Sequence, residues 1–204
     1  YKGHEDLFTA LRSIREKLPY PWRLLCLGRT SGSYCERLRI FADNKLPDHI
    51  HFLGSRNDVP RLLKAADLAI LPSHQEGFSN SLLEGMAAGL PTVTTDVGGN
   101  PEAIEADVSG TIVQPQDPDA LAKAILTLSQ DLNLRHRYGE AARARVHEVA
   151  PLSGGQHGLD AVVVRARVVR HPGCDLPDGC RVEVGDVLRE YRAEELHPQV
   201  EGHA

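Results

Sequence analysis

The sequence predicts an α/β protein built on a doubly wound parallel sheet, and two observations predict it. Short apolar or β-branched runs at 23–28 (RLLCLG), 50–53 (IHFL), 67–71 (DLAIL), 91–95 (PTVTT) and 110–113 (GTIV) are too brief for helices and read as strands. Segments with apolar residues at helical spacing alternate with them, and strands alternating with helices imply parallel pairing. The chain has 204 residues, enough for one or two domains with real cores.

Taken in order, residues 4–18 place Leu7, Phe8, Leu11, Ile14 and Leu18 on one helical face, and Pro19 and Pro21 end it. Strand 23–28 follows, then a helix at 34–42 and strand 50–53, which Gly54 closes. Residues 58–66 form a helix, with Asp58 as N-cap and Pro60 in its first turn. After strand 67–71, a helix is expected over 80–89 and a short helix or turn at 99–104. Asp117-Pro118 opens a helix through Leu128, and another covers 133–148.

The stretch from Leu71 to Glu102 is where the chemistry concentrates. Ser79, Asn80 and Ser81 are all good N-caps, and Ser81 with Glu84 three positions on fits a capping box. Gly89 and Pro91 end the helix. The first amides of a helix lack internal partners and carry the positive end of the macrodipole, so a phosphate is well served beside Gly77–Asn80. Glu76 and Glu84 flank that point, and carboxylates accept hydrogen bonds from sugar or ribose hydroxyls. Each feature also has a plainer account: Glu84 closing a capping box, Glu76 solvated in a polar loop, Gly98–Gly99 forming a turn, Arg56 a surface arginine.

The order of segments settles more than any one of them. KGHEDL at 2–7, DLAILPS at 67–73, EGFSNSLLE at 76–84 and GMAAGLPTVTTDVGGNPEAI at 85–104 together resemble the C-terminal, donor-binding half of family 4 (group 1) glycosyltransferases of the GT-B fold. The resemblance spans about residues 2–146. It implies a Rossmann-like sheet with the ligand beyond the strand C-termini. It implies that Glu76 hydrogen-bonds hydroxyls of a donor sugar, that Gly77, Phe78, Ser79 and Asn80 contact sugar and diphosphate, and that Glu84 holds the ribose. Lys2 matches the lysine that neutralises the diphosphate. Ser55 and Arg56 are candidates beside the nucleobase, and the loop holding Gly98 and Gly99 lies close to the donor. By the same resemblance Glu76 and Lys2 carry the catalytic role, the donor is a nucleotide-diphosphate sugar, transfer retains configuration, and no metal is required.

Two departures shape the expectation. The family's domain opens with a strand ending in Gly-Arg, which lies centrally, between strands 23–28 and 67–71. No such segment precedes Lys2. The expected chain is therefore a fragment, inactive alone, with its first central strand and the N-terminal acceptor domain missing and two inner sheet edges unpaired. The C-terminus also departs: residues 1–149 form the Rossmann-like domain and 150–204 an atypical tail, small and β-rich or disordered. In it 151–158 reads as a linker, 161–169 (AVVVRARVV) as a strand rather than the family's closing helix, 181–188 as a second strand and 191–196 as a short helix. Two origins fit this tail: a β appendage, or a reading-frame slip in a GC-rich gene.

The formal net charge of −5 gives no nucleic-acid footprint. No apolar run approaches a membrane span of about 20 residues. The four cysteines do not make a disulfide framework, and Cys174 and Cys180 with His171 fall short of a zinc site. The expected setting is the cytoplasm or the inner membrane face, in polysaccharide or glycoconjugate assembly. The alternatives are a non-catalytic nucleotide-sugar-binding subunit and a GT-B-type epimerase, which acts on donor alone.

Overall fold

The computed structural model describes residues 2–19, 21–28, 31–149 and 162–166. In chain order they form α1 (His4–Ile14), β1 (Trp22–Leu27), α2 (Ser33–Lys45), β2 (Ile50–Gly54), α3 (Val59–Lys64), β3 (Leu68–Leu71) and α4 (Asn80–Ala87). There follow β4 (Thr92–Thr95), α5 (Asn100–Ala103), β5 (Gly110–Val113), α6 (Pro118–Gln130), α7 (Leu132–Val149) and β6 (Val162–Ala166). Each helix and strand expected between residues 4 and 149 is present. The first helix is shorter than its apolar pattern: it stops at Ile14, and Leu18 reaches the core from a following turn.

The six strands lie in the order β2-β1-β6-β3-β4-β5. β1 with β2, β3 with β4, and β4 with β5 pair in parallel. Both faces are covered, which explains why the strands read as unbroken apolar runs. Leu24 and Cys26 enter one apolar cluster with α1, α2 and α6, while Leu25 and Leu27 enter a second with α3. A third cluster joins Leu71 to α4, α5 and α7. Phe8 is fully enclosed, its ring 5.9 Å from that of Phe41 and 6.2 Å from that of Phe52. Burial pushes the Cys26 thiol up to about 12, so it packs as a small hydrophobe and stays protonated.

α7 secures the other helices through arginines that its weak amphipathic pattern does not announce. Arg135 is buried and donates to the carbonyls of Leu128 and Ser129 (2.7 and 2.8 Å) at the end of α6. Arg143 donates to the Ala88 carbonyl after α4, and Arg145 to the Ala103 and Glu102 carbonyls of α5. Each supplies donors to carbonyls that a helix C-terminus leaves unpaired.

The inner edges of β1 and β3, expected to be unpaired, are paired here. β6 lies between them, antiparallel to both, and Val164 sits opposite Leu24 on one side and Leu68 on the other. The physical reason is the strong requirement that buried backbone donors and acceptors be satisfied, which a β-branched segment meets for two strands at once. The strand expected at 161–169 is thus found over Val162–Ala166. The second strand and short helix expected further on, and Cys174, Cys180 and His171, lie outside the described residues. The fit of β6 is imperfect: it matches five positions of β1 but three of β3, and it sets Arg165 opposite Arg23.

Val163 pairs with Leu25 and with Ala69. Val163→Pro removes an amide from the middle of this ladder and is expected to destabilise the chain by about 1–3 kcal/mol, the scale of a buried partner left unsatisfied. A urea titration, with amide exchange read in β1 and β3, checks it; unchanged midpoint and protection would contradict the central placement of β6.

Candidate functional site

Because β3 and β4 run in parallel, the loops after Leu71 and after Thr95 emerge at one edge of the sheet. Side chains from β4 fasten them together. The Thr94 hydroxyl donates to the Leu71 carbonyl at 3.2 Å and the Thr95 hydroxyl to the Ser73 carbonyl at 2.5 Å. Asn100, fully buried, donates from Nδ2 to the Thr95 carbonyl at 3.1 Å and holds the start of α5 against the same edge.

Backbone contact joins three segments there. Gly3 has φ +68°, and a Cβ on it would run into the Pro72 carbonyl. Gly98 has φ +52°, and its Cβ would run into the Glu76 carbonyl. Both positions favour glycine twice over, for conformation and for space. The Gly99 amide donates to the Gly77 carbonyl at 2.6 Å, and the Phe78 ring lies where a Gly99 side chain would stand. At Gly77 the outward side is open, with no heavy atom within 4 Å of a would-be Cβ. That is the room a ligand needs to approach the backbone.

The charged groups converge on the same point. Lys2 Nζ lies 2.9 Å from Glu76 Oε1, and the Ser73 hydroxyl donates to that same oxygen at 3.0 Å. The Lys2 and Glu76 side chains are 19% and 12% exposed, so their attraction is less screened than that of a surface pair. Beside them His74 Nε2 contacts Asp6 Oδ2 at 2.6 Å, tying the loop to the first turn of α1.

α4 starts two positions earlier than a Ser81–Glu84 capping box allows. Ser79 is extended (φ −85°, ψ 115°), and its hydroxyl accepts from the Leu82 amide at 3.4 Å. Ser79 is therefore the N-cap, Asn80 the first helical residue and Glu84 the fifth, half-buried along the helix. A Ser-x-x-Glu side-chain bond is formed in the preceding loop, between Ser73 and Glu76.

The structure thus brings together Lys2, Glu76, Gly77, Phe78, Ser79, Gly98 and Gly99, with Asn80 and Glu84 following on α4. It does not bring Ser55 and Arg56 to them. These residues follow β2, on the same sheet edge, but β1 and β6 intervene. At about 4.8 Å per strand the separation from β3 is about 14 Å. Arg56 holds Asp58 through two bonds, at 2.6 and 3.1 Å, and this guanidinium keeps the Asp58 carboxyl below its ordinary value. Ser73, Thr95, and the His74–Asp6 pair were not singled out by sequence. The available signal was Ser-x-x-Glu at 73–76, the pattern already used at 81–84. A cleft between Arg15, Trp22, Lys45 and His49 lies at the opposite end of β1 and shares no residue with this site.

Gly98→Ala is expected to cost about 1–3 kcal/mol of stability, since it strains a left-handed position and displaces the Glu76 loop. Chemical denaturation checks it; a neutral effect would show that the 76–77 and 98–99 segments are not in close contact.

A doubly wound sheet whose C-terminal edge carries paired charges, glycine loops and a helix N-terminus is the architecture of GT-B glycosyltransferases. Solved structures bear this out. The C-terminal domain of LpcC, a glycosyl transferase group 1 family protein from Francisella tularensis, superposes with a TM-score of 0.63 at 25% identity, over 72% of this chain and 78% of that one. HepE of Anabaena in complex with UDP-glucose superposes with a TM-score of 0.66 at 27% identity, over 72% of this chain and 41% of that one.

Residues 1–145 match the family of glycosyl transferases group 1, and the chain belongs to it. Among curated relatives, N-acetyl-alpha-D-glucosaminyl L-malate synthase of Bacillus anthracis is 35% identical over 126 residues, 62% of this chain and 33% of its own length. The D-inositol 3-phosphate glycosyltransferase of Salinispora arenicola is 34% identical over 151 residues, 70% of this chain and 34% of its own. The chain spans about a third of the length of these relatives.

Proposed function

We propose that this chain is the donor-binding domain of a retaining glycosyltransferase that takes a nucleotide-diphosphate sugar. The observation that carries the reading is the meeting of Lys2 and Glu76 beside the open backbone at Gly77 and the start of α4. Each part has a role in that reading. The sugar's hydroxyls donate to Glu76. The diphosphate lies against Lys2 and the amides of 77–80, where the helix macrodipole adds positive potential. The ribose hydroxyls donate to Glu84. Ser55 and Arg56, on the far side of the sheet edge, are left for the base.

In transfer, the bond between the anomeric carbon and the terminal phosphate oxygen breaks, and negative charge gathers on the departing phosphate. The Lys2 ammonium and the fixed amides of 77–80 stabilise that charge more than the ground state, which is electrostatic catalysis, and they carry the neutralisation without a metal in this proposal. Glu76 positions the sugar. The acceptor and its placement belong to the rest of a protein of the relatives' length. Among the described residues no helix is long and apolar enough to cross a membrane. We assign the whole protein to the cytoplasm or the inner membrane face, in polysaccharide or glycoconjugate assembly.

The test is calorimetric titration of the chain with UDP, GDP and their 2′,3′-dideoxy forms. The ribonucleotide that binds is expected to be favoured about tenfold over its dideoxy form, as hydrogen bonds to a charged group imply. Glu84→Ala is expected to abolish that preference. A preference that survives Glu84→Ala would contradict the placement of the ribose, and no binding of UDP, GDP or their sugar-bearing forms would contradict the reading as a whole.

A further inference from the structure

We infer that Glu76 is a lock on Lys2 which a sugar-bearing donor opens and a bare nucleoside diphosphate does not. The inference rests on the donor-binding reading and adds to it a specificity determinant: the site discriminates substrate from product nucleotide.

The lock is built from fixed parts. Glu76 Oε1 receives both Lys2, at 2.9 Å, and the Ser73 hydroxyl, at 3.0 Å. Ser73 is fully buried, and its carbonyl is held by Thr95. The next residue, His74, is tied to Asp6, and the backbone at 76–77 is pinned by Gly98 and Gly99. Glu76 therefore has little freedom to withdraw, while Lys2 is a flexible four-carbon stem with three donors. In the empty site the ammonium is held by the carboxylate.

A diphosphate arriving at Gly77 competes with Glu76 for that ammonium and brings negative charge beside a carboxylate. A bare nucleoside diphosphate meets both penalties. A sugar-bearing donor does not, because its hydroxyls hydrogen-bond the carboxylate and leave Lys2 to turn to the phosphates. Sugar and diphosphate thus bind cooperatively through one ion pair, and the coupling is reciprocal. After transfer the sugar leaves with the acceptor, Glu76 recaptures Lys2, and the grip on the nucleotide weakens. The same pair favours donor capture and product release.

The experiment titrates UDP, GDP, UDP-glucose and GDP-mannose into the full chain and its Glu76→Gln, Lys2→Ala and double variants. Glu76→Gln is expected to tighten the bare diphosphate roughly five- to tenfold, the scale of one partly screened charge pair, and to weaken the sugar donor. In the Lys2→Ala background the gain for the bare diphosphate is expected to be clearly smaller, because only the direct repulsion between carboxylate and diphosphate is left to relieve, the sign of a direct coupling. Glu76→Ala carries the same expectation and serves if the glutamine variant does not fold. The lock is overturned if removing the carboxylate leaves bare-diphosphate affinity unchanged or lowers it, or if the gain is undiminished without Lys2. A wild-type chain that binds none of the four ligands overturns the donor-binding reading instead.

Discussion

The parallel ladder between β3 and β4 is the constraint on which the site depends. Its register, with Leu71 opposite Thr94, delivers two loops to one edge at one height. The hydroxyls of Thr94 and Thr95 then fix the start of the first loop by bonding the carbonyls of Leu71, the last residue of β3, and of Ser73 beyond it. Lys2 and Glu76 are far apart in sequence, and they meet because Gly3 lies flat on Pro72 and Gly98 on Glu76. A chain with the same residues and a slipped β4 would keep its helices and lose the convergence.

The sheet shows a tension that the site does not. Five strands run in parallel and β6 runs against them, in the middle. Its β-branched residues satisfy the inner edges of β1 and β3, which would otherwise leave backbone groups unpaired between buried layers. Yet the match with β3 covers three positions, against five with β1.

Much of the fold was legible in the sequence because local signals and tertiary packing agree. Asp117 caps α6 through the Ala120 amide at 2.8 Å, as Asp-Pro at a helix start suggests, and the Gly89-Pro91 stop follows α4 as expected. The apolar runs became strands because both faces are covered. What sequence could not assign is partnership at a distance. AVVVRARVV reads as a strand on propensity alone, but nothing in it names β1 and β3 as neighbours. The S-x-x-E pattern occurs at 73–76 and 81–84; the extended backbone at Ser79 starts α4 two positions before Ser81, and the bond between Ser73 and Glu76 lies in the loop ahead of it. The arginines of α7 carry no local signal of their role, because their bonds go to carbonyls 6 to 55 residues away. Lys2 and Glu76 were placed at one site by family resemblance. Their ion pair, and the buried Ser73 beneath it, came from the structure.

The most direct test of this account is a crystal structure of the chain with the nucleotide sugar that binds it. The account predicts the diphosphate within hydrogen-bonding reach of Lys2 and the amides of 77–80, with a sugar hydroxyl on Glu76 and the Lys2–Glu76 pair opened. A nucleotide sugar bound elsewhere, for example in the cleft at Arg15, Trp22 and Lys45, with Lys2 still on Glu76, would contradict it.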